Sequence, residues 1–195
     1  MAKRIKSTKK RKSEKSSTST RNKVKMWAGL ALGIIALGYL LFLSLRGPSS
    51  IQDIVRHYGE ERGHDNSVVY EGDIPPTGGL HSEVWQNCGI YDEAIEAANA
   101  IHSMEHGAVW ITYQPDLSAG DIEILQNQVR GEPYLLLSPF PGQRSPVVLT
   151  AWEIQLELDS VKDGRLQTFI NRYPQGVTTP ERGASCQDGI GTPLQ

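Results

Sequence analysis

Cysteine is scarce in this sequence: Cys88 and Cys186 are the only two among 195 residues. A chain of this length can bury a self-sufficient core without disulfide or metal staples, so one folded domain is expected. Several enzyme signatures are absent: the sequence has no G-x-S-x-G nucleophile motif, no GxxxxGK phosphate loop and no dinucleotide-binding fingerprint. Catalysis by those routes therefore has no support in the sequence.

Acidic residues are nearly absent from the first 25 positions, where Glu14 stands against eleven lysines and arginines. From Arg46 onward the balance reverses, because twenty-one acidic residues outnumber nine basic ones. This acidic balance disfavours nucleic acid as a partner of the folded part. Residues 1–25 also have too few apolar side chains to offset chain entropy. We therefore expect a disordered basic tail over residues 1–25.

Charged residues are missing altogether from residues 26–45, a run of apolar and small side chains. Its length matches the roughly 20 residues that cross a bilayer core, so we predict a single transmembrane helix. The run is too long for a signal peptide, and no small-residue cleavage pattern follows Leu45, which favours an uncleaved signal anchor. Because the basic flank stays inside, the N-terminus is expected in the cytoplasm and the following domain in the periplasm or outside the cell.

Both cysteines belong to the part of the chain that is expected to be exported. An oxidising compartment lets disulfides persist, which favours a bond between Cys88 and Cys186. Two free thiols or two thiolate metal ligands are the alternatives.

The rest of the sequence divides into a juxtamembrane linker over residues 46–65, with a short helix at 49–58, and a domain over residues 66–190. Proline and glycine between residues 66 and 79 indicate an extended loop. Hydrophobic periodicity and end signals predict, in order, a helix at 92–106, a strand at 108–113, a helix from Ser118, strands at 134–137 and 147–152, a half-exposed continuation at 154–158 and a helix at 163–173. This order predicts an α+β fold, a small mixed sheet with helices packed on one face.

Three histidines carry the strongest functional signal. His102 and His106 are four residues apart, so on a helix they share one face, which Glu105 borders. His81 follows a glycine pair, whose backbone can approach other elements closely. Imidazole and carboxylate groups of this kind predict a transition-metal site, with zinc or copper as the ion, at His81, His102, His106 and Glu105.

Other interpretations of these residues stay open. An extended backbone would place Met104 beside His102 and His106, a set that favours copper. The histidines could instead form a structural hydrogen-bond network. The segment 102–106 also fits H-x-x-E-H, in which two histidines bind zinc and the glutamate is a general base. His57 and His64 receive no role.

The sequence also resembles a known family, the bacterial domain of unknown function numbered 3105. The resemblance is carried by Pro75-Pro76-Thr77-Gly78-Gly79-Leu80-His81, Trp85 with Cys88-Gly89-Ile90-Tyr91, His102 to Ile111, Ser138-Pro139-Phe140-Pro141, Thr150-Ala151-Trp152, and Pro180-Glu181 with Cys186. It implies a membrane-anchored exported bacterial domain with no established activity. It also implies that both cysteines belong to the pattern of the domain, and it weakens the copper interpretation through Met104.

Three classes of function follow from these observations. The first is an exported metal-binding domain that is not an enzyme, tethered to the lipid bilayer. The second is a noncatalytic module that binds another envelope protein through residues 85–91 and its acidic faces. The third is a zinc-dependent hydrolase.

Overall fold

The computed structural model describes residues 14–45, 51–59 and 61–194. The chain divides into two compact units, Met1–Ser49 and Ser50–Gln195. In the first unit the structure describes one helix, α1, over Glu14–Leu45. Residues 14–25, which were predicted to be disordered, are therefore helical, while residues 1–13 lie outside the described part.

Helix α1 includes the apolar run over residues 26–45. Where their side chains are described, the large apolar residues of this run are exposed, for example Trp27 at 64% and Leu37 at 70%. Among all the residues that the structure describes, no helix is both long and apolar enough to cross a membrane. The transmembrane helix therefore stays a prediction.

The second unit is built on a six-stranded mixed sheet with strand order β1-β8-β7-β5-β6-β4, and a separate pair, β2-β3. Its elements are β1 (Val55–Arg56), β2 (Gly63–His64), β3 (Leu80–His81), β4 (Gly89–Ile90), α2 (Ala97–Glu105), β5 (Val109–Tyr113), α3 (Ala119–Val129), β6 (Leu135–Pro139), β7 (Val147–Ala151), β8 (Ile154–Leu158) and α4 (Gly164–Arg172). The predicted α+β class and mixed sheet are confirmed.

Strand β5 lies at the centre of the sheet and is buried along its whole length. It pairs in parallel with β6 through the α3 crossover and antiparallel with β7. Strand β8 forms an antiparallel hairpin with β7 and is mostly buried. The prediction that residues 154–158 are a half-exposed continuation of the preceding strand is therefore wrong. The turn between β7 and β8 consists of Trp152 and Glu153, and Glu153 adopts a positive φ of 59°.

Helices cover both faces of the sheet, which corrects the prediction that they pack on one face. Val109, Ile111 and Tyr113 point to the face covered by α3 and α4. Trp110 and Leu136 point to the opposite face, where they pack with Ile101 and Met104 of α2. Because β5 places large apolar side chains on both faces, each face requires its own cover.

Residues before the expected domain boundary belong to the folded unit. Val55 and Arg56 pair with β8, so the part of the expected 49–58 helix that is described contains a short strand instead. Residues 66–79 form neither helix nor strand, in agreement with the expected loop. Helix α2 begins at Ala97 rather than at Asp92.

Cys88 and Cys186 are joined by a disulfide bond, as predicted. The backbone N–H of Cys88 also donates to the carbonyl of Cys186 at 2.8 Å. Both side chains are buried with α2. The C-terminal segment is thereby held next to the helix that carries His102 and Glu105.

Candidate metal centre

Helix α2 sets the directions of the residues at its C-terminal end. Its last residue is Glu105, His106 follows as the C-cap, and Gly107 leaves the helix with a φ of 102°. The helical interpretation of residues 102–106 is therefore confirmed. Met104 is fully buried in the core with Trp110. On a helix, positions two apart lie roughly 200° apart around the axis, so Met104 does not share a face with His102.

Two short strands bring two further histidines to α2. Strands β2 and β3 pair in parallel, with His64 opposite His81 in the register. Strand β3 packs against α2. The loop before β3 is anchored to the β7–β8 hairpin, because Gln155 Nε2 donates to the Pro75 carbonyl at 2.8 Å and the Glu153 N–H donates to the Thr77 carbonyl at 2.8 Å.

The imidazole rings of His64, His81 and His102 form a triangle. Ring centroids are 4.9 Å apart for His64 and His81, 4.9 Å for His64 and His102, and 5.0 Å for His81 and His102. One ligand atom from each ring and one Glu105 oxygen lie within 4.8 Å of one another. We call these four residues the first set. His64 is exposed, whereas the other three are buried.

Backbone carbonyls fix which ring nitrogen of each histidine points inward. The Nδ1 atoms of His81, His102 and His106 lie 2.8, 2.7 and 2.6 Å from the carbonyl oxygens of Gly79, Ser82 and Ser185. A carbonyl oxygen only accepts, so each Nδ1 carries the hydrogen. The Nε2 atoms are left as ligand atoms, an arrangement that typically orients histidines at metal centres.

Glu105 is the acidic member of the first set and is 4% exposed. Its Oε1 accepts from Nε and Nη2 of Arg62 at 3.3 and 3.2 Å, and its Oε2 lies 2.8 Å from Nε2 of His81. Both carboxylate oxygens are thus engaged within the protein. One of these oxygens lies within 4.8 Å of the ligand atoms of His64, His81 and His102.

Burial lowers the pKa of His102, and the nearby His106, His81 and His64 rings lower it further, against the opposing effect of the hydrogen bond to Ser82. The lowered pKa keeps the ring neutral near pH 7. A neutral imidazole is the form that binds a metal ion.

His106 belongs to a neighbouring group of ligand atoms. His102, His106 and Glu181 place one ligand atom each within 4.8 Å of the others, and we call them the second set. Nε2 of His106 lies 3.5 Å from Oε2 of Glu181. The structure therefore brings His81, His102 and Glu105 together, and places His106 in a second group that shares only His102 with the first.

Sequence reasoning missed His64, Arg62 and Glu181. His64 reaches the site through a two-residue parallel bridge, which leaves no periodic signal in the sequence. Glu181 is positioned by the disulfide-anchored segment and by its backbone N–H, which donates to the Glu105 carbonyl at 3.0 Å. Only its place in the Pro180-Glu181 motif could have drawn attention to it.

Residues 62–188 match the family model described as protein of unknown function, DUF3105. The chain belongs to this family. The matched range begins at Arg62 and ends after Cys186, so it contains both sets and both cysteines. No curated protein and no solved structure matches the chain.

Proposed function

We propose that this DUF3105 domain binds one divalent transition-metal ion at the first set, with zinc as the best fit. The observation that supports the proposal is the convergence of four ligand atoms, three imidazole and one carboxylate, within 4.8 Å of one another. Four nitrogen and oxygen ligands suit the tetrahedral coordination that zinc adopts in structural sites.

The surroundings of the first set also suit a cation. His81 and His102 are oriented by their Nδ1 hydrogen bonds, so two Nε2 ligands are positioned before an ion arrives. Arg62 binds one oxygen of Glu105 and leaves the other beside His81. The Trp152 ring stands nearly perpendicular to the His81 ring, with centroids 5.9 Å apart, and so places a large aromatic side chain beside this ligand.

Elemental analysis of the purified full-length protein tests this proposal. After loading with Zn²⁺ and gel filtration, we expect about one ion per chain in the wild type and much less in His102→Ala, because His102 is the one ligand that both sets share. His57→Ala is the matched control, since His57 lies outside both sets, and it should retain the ion. Equal metal content in His102→Ala and wild type would place the ion elsewhere.

We also propose that α1 tethers the domain to a membrane, with the domain on the exported side. The proposal is supported by the uncharged run over residues 26–45, by the basic residues before it, and by the exposed apolar side chains of α1. Alkaline phosphatase fused after Gln195 is active only when exported, so we expect an active fusion. An inactive fusion in a stable, membrane-inserted product would reverse this topology.

A further inference from the structure

We infer that the second set is another metal position, and that His102 passes a single ion between the two sets. This inference depends on the proposed metal binding. The first set opens to solvent at His64 and the second at Glu181, whose side chain is 49% exposed. The shared ligand therefore lies between two openings, an arrangement that suits metal exchange better than storage.

One pair of ligand atoms in the second set is already spaced as it would be around a metal ion. Two ligands at about 2.0 to 2.1 Å from a tetrahedral zinc ion are roughly 3.3 Å apart. His106 Nε2 and Glu181 Oε2 are already 3.5 Å apart. Three protein ligands also leave a fourth position for water or for a group on a partner that delivers or receives the ion.

Three contacts hold the second set in place without an ion. Nδ1 of His106 donates to the Ser185 carbonyl at 2.6 Å, which directs Nε2 toward Glu181. The Glu181 N–H donates to the Glu105 carbonyl at 3.0 Å. The disulfide bond to Cys88 fixes Cys186, which directly follows Ser185. This site is therefore built by the fold and is not a chance approach of surface side chains.

The two positions exclude one another because both need the same atom of His102. Its Nδ1 is occupied by the Ser82 carbonyl, which leaves only Nε2 for a metal ion. One imidazole lone pair binds one ion. The centroid of the His102 ring lies 5.0 Å from that of His81 and 4.6 Å from that of His106, so an ion can exchange its other ligands while it stays bound to His102.

Cobalt titration of the full-length protein tests this inference, because the visible absorption of Co²⁺ reports the number and type of its ligands. We expect the wild type to bind one ion. His64→Ala and the double variant His64→Ala/His81→Ala should each still bind one ion, with an altered spectrum and an affinity at least about tenfold lower. In the double variant the first set keeps only two ligands, so we expect the second set to take over. His64 is exposed, so its variant avoids the folding risk of changing the fully buried His81.

Variants of the second set should keep the ion and change its rate of transfer. We expect His106→Ala and Glu181→Gln to bind one Co²⁺ in the first set, but to release it to an external chelator at least about tenfold more slowly than wild type. Glu132→Gln is the matched control, because Glu132 is exposed and lies outside both sets. This variant should release the ion at the wild-type rate.

The outcomes separate this inference from the proposed function. Absence of Co²⁺ and Zn²⁺ binding in the wild type would overturn both. One ion in the wild type, complete loss in the His64→Ala/His81→Ala double variant, and unchanged release from Glu181→Gln would overturn only the second position. Two ions bound together in the wild type would overturn the sharing of His102.

Discussion

Nε2 of His81 lies 2.8 Å from Oε2 of Glu105, while Nδ1 of the same ring lies 2.8 Å from the Gly79 carbonyl. Since the carbonyl can only accept, Nδ1 carries one hydrogen, and a second hydrogen must lie between Nε2 and the carboxylate. A metal ion in the first set needs both of these atoms as ligands. The proton and the ion therefore compete for the same place.

This competition predicts that zinc binding releases the shared proton. We expect protons to be released when Zn²⁺ binds, measured by titration calorimetry in buffers with different enthalpies of ionisation. Glu105→Gln should release fewer protons, because its amide N–H donates to His81 and no proton is shared with a carboxylate. Equal proton release in the two proteins would contradict this account of the His81–Glu105 pair.

Gly107 allows the chain to turn from α2 into β5, and its replacement tests that turn. Its φ of 102° is unfavourable for a side chain, and a Cβ there would lie 2.9 Å from Cδ of Gln175 and 3.1 Å from Cγ2 of Thr179. We expect Gly107→Ala to lower the free energy of unfolding by about 2 to 4 kcal/mol, from backbone strain and crowding together. Denaturant unfolding measures the change.

Gly142→Ala is the matched control for this substitution. Gly142 has a φ of 79°, but a Cβ there meets no atom within 4 Å. Only the strain of a side chain at positive φ applies here, so we expect the free energy of unfolding to fall by about 1 to 2 kcal/mol. An equal loss in the two variants would show that Gln175 and Thr179 move aside easily.

The elements that sequence predicted well are those with local signals. Ser118 was expected to start a helix, and its hydroxyl accepts from the Asp121 N–H at 3.2 Å as the N-cap of α3. The apolar runs that became β5, β6 and β7 were equally clear. The order of elements in the core of the domain follows from such patterns, because each one is decided within a few residues.

The missed features depend on contacts between distant residues. Strands β1 to β4 have two residues each, too short for any period, and exist only because β8, β6 or one another are present as partners. His64 entered the site through one of these bridges. The burial of both sheet faces did have a signal in the sequence. Trp110 and Ile111 are consecutive large apolar residues, so a strand that contains them presents an apolar side chain to each face, and both are buried in β5.

The lowered pKa of His102 predicts how the metal-free protein responds to acid. Its pKa in the folded protein lies below the ordinary histidine value of about 6.5, so the unfolded state binds more protons as the pH falls through that value. This contribution to stability is present above about pH 6.5 and is lost as the pH falls toward the folded pKa. His64, His81 and His106 face the same ring and add to the repulsion.

Replacing His102 with Asn removes this one contribution. With a chelator present, we expect the free energy of unfolding to fall less between pH 7 and pH 5 in His102→Asn than in wild type. His57→Asn, outside the cluster, should follow the wild-type slope. Denaturant unfolding at several pH values measures both. A slope for His102→Asn equal to that of wild type would mean that burial does not hold the ring neutral.

The disulfide between Cys88 and Cys186 links stability to the second set. It spans 98 residues of sequence, and its removal in Cys88→Ala/Cys186→Ala should cost about 4 kcal/mol in the free energy of unfolding. Alanine is preferred to serine because both positions are 3% exposed and a hydroxyl there would need a partner. Wild-type protein under reducing conditions should lose a similar amount, and the double variant should be insensitive to reductant.

The same variant should weaken the second set more than the first. Loss of the bond frees the segment around Ser185, whose carbonyl orients His106. The carbonyls that orient His81 and His102 belong instead to Gly79 and Ser82, which flank β3. In a His64→Ala/His81→Ala background the first set keeps only two ligands, so the ion must use the second set. There we expect loss of the disulfide to lower Co²⁺ affinity at least about tenfold. With both histidines intact, the affinity should change little, because the hydrogen bonds that orient the first set remain. A larger loss with both histidines intact would instead mean that the disulfide positions the first set.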